Sequence, residues 1–187
     1  WGADGNDLAD LARPYAMRFP GMAFFVPNGP DRCKMNPAGR EWFDIDDRVN
    51  GPDYAAPVIQ TAITALLTDL RLSGPALILA GFSQGGMMSL HCGLRLNPAP
   101  AAIVSFSGAL LRHDDLSASA TTPYPPVQLV HGSDDQVVPC ALMHEAARIL
   151  SRLGVEVETV ERPGLAHGID PDGLTASINF LAAHITD

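Results

Sequence analysis

The sequence predicts an α/β fold, a mostly parallel sheet with helices on both faces. Two observations carry this reading. Short β-prone apolar runs alternate along the chain with longer stretches of helical pattern. The runs are also near-continuous in apolar residues, as in strands buried on both faces. A third observation, a glycine-flanked serine between one such run and the next helix, locates the chemistry.

In chain order the expected strands are Met22–Val26, Ala76–Ala80, Ala101–Phe106, Val127–His131 and Val155–Glu161. The expected helices are about Tyr54–Leu72, Gln84–Leu96, Ala141–Leu153 and Gly173–His184. In the first helix Val58, Ile63, Leu66, Leu67 and Leu70 recur near the helical period. Two segments interrupt the alternation. Pro27–Pro52 is rich in Gly, Pro, Asn and Asp and carries Trp42 and Phe43; Leu110–Pro126 is a second long connection. Connections this long often wall a pocket, and the plain alternative is a surface excursion.

The bulk composition bounds the rest. At 187 residues, with 47% hydrophobic and 18% charged, the chain fits one folded domain over 1–187, without a linker or internal repeat. Twelve basic against 21 acidic residues give a net charge of −9, and no basic cluster stands out, so nucleic acid and anionic lipid are not expected partners. No apolar run approaches the roughly 20 residues that cross a bilayer, so stable membrane insertion is not expected either. Cys33, Cys92 and Cys140 are odd in number and match no metal or redox spacing. They read as thiols in a reducing, cytoplasmic compartment.

Gly81-Phe82-Ser83-Gln84-Gly85 fits Gly-x-Ser-x-Gly between a strand and a helix, the placement that this motif requires. A sharp turn there projects the Ser83 hydroxyl above the sheet, over a helix N-terminus that favours developing negative charge. The bare motif occurs by chance; the flanking strand, the following helix and the further Gly86 make it a candidate nucleophile.

A serine hydroxyl needs a histidine to take its proton and a carboxylate to orient that histidine. In this kind of fold both follow the serine in sequence, beyond strand ends. The loop after Val127–Val130 contains Asp134 and Asp135. Either aspartate could instead make turn and N-cap hydrogen bonds before the helix near Cys140. Of the six histidines, His91, His144 and His184 fall in helical patterns, His113 in a polar loop, and His131 at a strand end beside the acid loop. His167, in Gly164-Leu165-Ala166-His167-Gly168, follows the last strand and precedes the last helix, where the base belongs.

Taken together these residues resemble the carboxylesterase/phospholipase family of α/β hydrolases, which includes the acyl-protein thioesterases. Gly-Phe-Ser-Gln-Gly-Gly at 81–86 is similar to its nucleophile motif, and His131–Pro139 to its acid segment H-G-x-x-D-x-x-V-P. The second match selects Asp135 and leaves the turn bonds to Asp134. Gly164–Gly168 resembles its histidine loop, and Met35-Asn36 with Trp42-Phe43-Asp44-Ile45 the segment walling its acyl pocket. The resemblance implies the α/β-hydrolase fold and a Ser83–His167–Asp135 triad. It also implies oxyanion donors in the backbone N–H groups of Gln84 and Trp1, and an acyl pocket with Met35, Trp42, Phe43 and Met87 as candidate apolar groups.

The chain opens on Trp1-Gly2-Ala3-Asp4-Gly5, which looks like the family's oxyanion loop without the Leu-His-Gly strand end before it. The expectation is that the first strands of the fold lie upstream of Trp1. The substrate expected is a small acyl ester, or a thioester or lysophospholipid, with no metal or organic cofactor; a homodimer is left open. A non-catalytic binding protein on the same fold is the rival from another class, and the presence of all three triad residues argues against it.

Overall fold

The computed structural model describes residues 1–117 and 123–185. Helices α1 (Gly5–Ala9) and α2 (Ala12–Arg18) precede a small antiparallel pair, β1 (Asp31–Arg32) and β2 (Arg40–Glu41). The main sheet has four parallel strands, β3 (Ile78–Phe82), β4 (Ala102–Phe106), β5 (Val127–Gly132) and β6 (Val157–Arg162), side by side in that order. The longer helices are α3 (Gly51–Leu70), α4 (Gln84–Gly93), α5 (Ala141–Arg152) and α6 (Pro171–His184).

The two-residue period of a strand explains the layering. Ile103 of β4 and Val127 and Leu129 of β5 face one side, against Leu90 of α4 and Met143, Ala146 and Leu150 of α5. Ala102, Val104 and Phe106 of β4, with Val130 of β5, face the other, against Tyr15 and Phe19 from α2 and its end and Phe180 and Leu181 of α6. All of β4 and β5 is buried, as the unbroken apolar runs require. α2 is fastened to α6 by the Tyr15 hydroxyl and Ser177 Oγ, 2.6 Å apart. α3 packs on α4 around Phe43, Ala55, Ala56, Met87 and Met88.

Four of the five expected strands form, with shifted ends. β3 starts at Ile78 because Gly74–Ala76, with Pro75 inside it, takes a 3-10 turn. β6 starts at Val157 because Gly154, at φ 79°, and the Val155 N–H to Leu150 carbonyl bond still belong to the end of α5. The fifth, Met22–Val26, is no strand: no ladder partner lies beside it among the described residues, and Phe24, Phe25 and Val26 are exposed. β propensity is realised only where a neighbour supplies hydrogen bonds and packing. The first segment carries structure that composition hid: α1 has Asp4 and Asp7 as a reciprocal capping box, and Ala3 bridges to Arg40 beside β2. Part of the Leu110–Pro126 connection, 118–122, lies outside the described residues.

Candidate active site

The carboxyl ends of β3, β5 and β6 open toward one another, and each delivers one polar side chain. The turn from β3 into α4 is tight: a Cβ on Gly81 would collide with the backbone of Gly85 and Gly86, and one on Gly86 would come within 2.6 Å of Ser105 Oγ. Between these close approaches Ser83 is held at φ 53°, ψ −119°, a conformation that costs a non-glycine residue on the order of 1–3 kcal/mol. The strain is sustained by the Ser83 N–H to Phe106 carbonyl bond (2.8 Å) and by α4 starting immediately after.

The Ser83 Oγ lies 2.9 Å from His167 Nε2, and His167 Nδ1 lies 2.7 Å from Asp135 Oδ2. With the aspartate ionised, Nδ1 carries the proton and donates it, which leaves Nε2 as an acceptor for the serine hydroxyl. The Phe82 ring packs against the His167 ring at 4.8 Å between centroids. The other carboxylate oxygen of Asp135 accepts the N–H groups of Val137 and Val138, both at 2.9 Å. Burial pushes the Asp135 carboxyl up; the bonds from His167, Val138 and Val137 outweigh this and hold it below the usual carboxylate range.

The turn bonds expected of Asp134 are therefore made by Asp135, which uses one oxygen for the turn and one for the histidine. Asp134 instead accepts from Ser133 Oγ at 2.7 Å and gives its N–H to the Leu165 carbonyl (3.0 Å). Ser133 Oγ in turn accepts from the Gly164 N–H at 2.8 Å, so the acid loop and the histidine loop are stitched together. His131, buried beside them, donates Nε2–H to the Val138 carbonyl at 2.7 Å, with Asp135 Oδ2 at 3.3 Å from the same nitrogen.

Gln84 opens α4, so its N–H has no partner within the helix. Its buried side chain accepts from the Trp42 N–H (2.9 Å) and donates to the Phe43 carbonyl (2.7 Å), bolting the segment after β2 onto α4. Trp1 lies by the same hairpin, where the Gly2 N–H bonds to the Arg40 carbonyl.

The four candidate pocket residues separate. Trp42 packs partly buried against the cluster that contains Phe43 and Met87, both about 1% exposed, whereas Met35 is 78% exposed in the hairpin turn. An open cleft of about 550 Å³ lies between the hairpin and the start of α3, walled by Arg32, Glu41, Phe43, Asp44, Asn50 and Tyr54. None of its walls comes from Ser83, Asp135 or His167.

The model of one family, described as phospholipase/carboxylesterase, matches residues 1–185. The chain belongs to the phospholipase/carboxylesterase family. It is a carboxylic ester hydrolase with the α/β-hydrolase fold. Family relatives include an acyl-protein thioesterase 1 of Gibberella zeae, 34% identical over 84% of this chain and 75% of the relative. The esterase YpfH of Escherichia coli is 27% identical over 93% of this chain and 75% of its own. Among solved structures, esterase PE8 superposes with a TM-score of 0.93 at 37% identity, covering 99% of this chain and 89% of its own. SOBER1 of Arabidopsis thaliana, at 19% identity, a TM-score of 0.86 and coverage of 99% and 95%, shares the fold.

The side chains that brace Ser83, Asp135 and His167 are not legible in the sequence. Nothing marks Gln84 as a bolt or Ser133 as a stitch, because their partners are backbone groups distant in sequence. Asp170 alone carries a signal: Asp followed by Pro171 is a helix start, and Asp170 does cap α6 through the Gly173 N–H at 2.8 Å.

Proposed function

We propose that this chain is a serine esterase that hydrolyses short to medium acyl esters through an acyl-enzyme on Ser83. The observation that carries the reading is His167 standing between two partners, 2.9 Å from Ser83 Oγ and 2.7 Å from Asp135 Oδ2. Ser83 Oγ attacks the acyl carbonyl as its proton passes to His167 Nε2, and the ionised Asp135 stabilises the resulting imidazolium. The N–H groups of Gln84 and Trp1 receive the oxyanion; one such donor is worth about 10²–10³ in rate. The alcohol leaves with the proton from His167. Water then gives a proton to the same nitrogen, attacks the acyl carbon and releases the acid. Neither step needs a metal or an organic cofactor.

The acyl chain is taken up along the partly buried Trp42, whose backbone N–H the Gln84 side chain holds beside the nucleophile. The likeness to an acyl-protein thioesterase over most of the chain supports a second reading, in which the leaving group is a thiol. Residues 1–187 act as one domain in both readings. The free thiols of Cys33, Cys92 and Cys140 support a reducing, cytoplasmic location, and no helix among the described residues is long and apolar enough to cross a membrane. Nitrophenyl esters of rising chain length, run beside matched acyl thioesters, test the proposal. The ester reading predicts the larger kcat/KM on short or medium esters. A preference for long-chain thioesters transfers the assignment to the second reading, and no turnover of either class by folded protein overturns both.

A further inference from the structure

Among the described residues one cluster of metal-ligating side chains stands outside the triad: Cys140, His144 and Glu161, whose ligand atoms all lie within 4.8 Å of one another. Cys140 and His144 are one helical turn apart at the start of α5, so they present to the same side. Glu161 comes from β6, in register with His131 of β5. The His144 Nε2 is 3.9 Å from Cys140 Sγ and 3.1 Å from a Glu161 carboxylate oxygen.

Tetrahedral zinc, with bonds of about 2.0–2.3 Å, separates its ligand atoms by roughly 3.3–3.8 Å. The separations of 3.9 and 3.1 Å bracket that spacing. The side chains of His144 and Glu161 are half-exposed, free to make the small rotations that close the third.

We propose that Cys140, His144 and Glu161 form a binding site for a borderline divalent transition metal, Zn²⁺ foremost, with the fourth position open to water or an external ligand. On binding, the Cys140 S–H proton is released to solvent and a sulfur–metal bond forms; His144 gives its Nε2 lone pair and Glu161 one oxygen. The thiolate and imidazole favour zinc over magnesium or calcium, which prefer all-oxygen shells. The site shares no residue with the triad. It ties the start of α5, one residue after Pro139 at the end of the acid loop, to the end of β6, from which the histidine loop departs. Its effect is to clasp the two loops that deliver Asp135 and His167. No spacing along the chain announces it, because the third ligand lies on a different element.

The test is to titrate the whole protein, under reducing conditions, with Co²⁺ and Zn²⁺. The expected result is one equivalent of Co²⁺ bound with a thiolate-to-cobalt charge-transfer band, displaced by Zn²⁺. Zn²⁺ should also raise the Tm and shield Cys140 from alkylation. Cys140→Ser should abolish the band, and His144→Ala and Glu161→Gln should each weaken Zn²⁺ binding on the order of tenfold or more. The buried Cys33 and Cys92 remain in every variant as internal controls. No charge-transfer band in the folded wild type, or a band that survives Cys140→Ser, overturns the proposal and leaves His144–Glu161 as a surface ion pair. Failure here leaves the esterase reading untouched, since no step of the hydrolysis uses these residues.

Discussion

Arg162 and Asp170 close the loop that carries His167. The Arg162 Nε lies 3.1 and 2.9 Å from the two carboxylate oxygens of Asp170, on the far side of the residues that present the imidazole. Asp170 also caps α6, and Arg162 reaches Asp172 as well, at 2.6 Å. The Arg162 guanidinium first, and then the Gly173 N–H, hold the Asp170 carboxyl below the usual range. Both ends of the His167 loop are therefore fixed to the frame of the sheet and the last helix, and the loop between has little freedom to carry the imidazole away from Ser83.

Asp170→Ala should cost about 1–2 kcal/mol, from a lost N-cap and a partly exposed ion pair. It should lower kcat more than it raises KM, because positioning of His167 matters most in the transition state. Asp172→Ala, at a far more exposed carboxylate, should do neither. Denaturant melts and steady-state ester hydrolysis on the three proteins check this. Equal effects of the two substitutions contradict the clasp.

Asp135→Asn should lower kcat by about 10⁴, through the wrong histidine tautomer; Asp134→Asn should lose far less. The reason is on the oxygens: Asp135 Oδ2 meets His167, whereas Asp134 meets only Ser133. Comparable losses from both, measured on nitrophenyl esters, would mean that the stitch between the loops matters as much as the carboxylate.

His131→Leu should destabilise the fold by about 1–3 kcal/mol, since the buried Val138 carbonyl loses its donor. Turnover should fall with it, as the Val137–Val138 segment is what holds the second oxygen of Asp135. His131→Gln, which keeps a donor, should recover part of both. A leucine variant as stable and active as the parent shows that the contact is incidental.

His91 is among the groups that make stability depend on pH. Burial, then Arg95, push this imidazole below its ordinary range, against a smaller opposing pull from Asp53. The unfolded chain titrates near about 6.5. The stability that goes with neutral His91 is therefore complete above that pH and is lost as pH falls through the lower folded value. His91→Gln should flatten the decline in unfolding free energy between about pH 7 and 5. Parallel curves for variant and parent would assign the decline to other groups.

The legible and illegible parts of this molecule divide by range. Unbroken apolar runs locate β4 and β5 because both of their faces are buried, and the helical period locates α5 because its apolar residues serve one buried layer. Ser83 and His167 stand out as candidates because Gly-x-Ser-x-Gly and the strand ends are local too, whereas the choice of Asp135 over Asp134 comes from the family resemblance. Met22–Val26 misleads because its apolar residues read the same with or without a strand beside them. The turn bonds expected of Asp134 fall to Asp135 because two adjacent carboxylates in one loop differ only in direction, which a sequence does not encode. The Arg162–Asp170 clasp, the Gln84 bolt and the Ser133 stitch depend on groups brought close by the fold, and no spacing announces them.

The central claim is that Ser83 is the nucleophile that His167 activates. A fluorophosphonate probe followed by peptide mass mapping, run on the parent and on Ser83→Ala with ester turnover in parallel, tests it most directly. The account predicts a single adduct on Ser83, none on the folded variant, and a fall in kcat on the order of 10⁶. An adduct on another residue, or a folded Ser83→Ala that retains turnover within about tenfold of the parent, a loss of under roughly 1.4 kcal/mol, would contradict it.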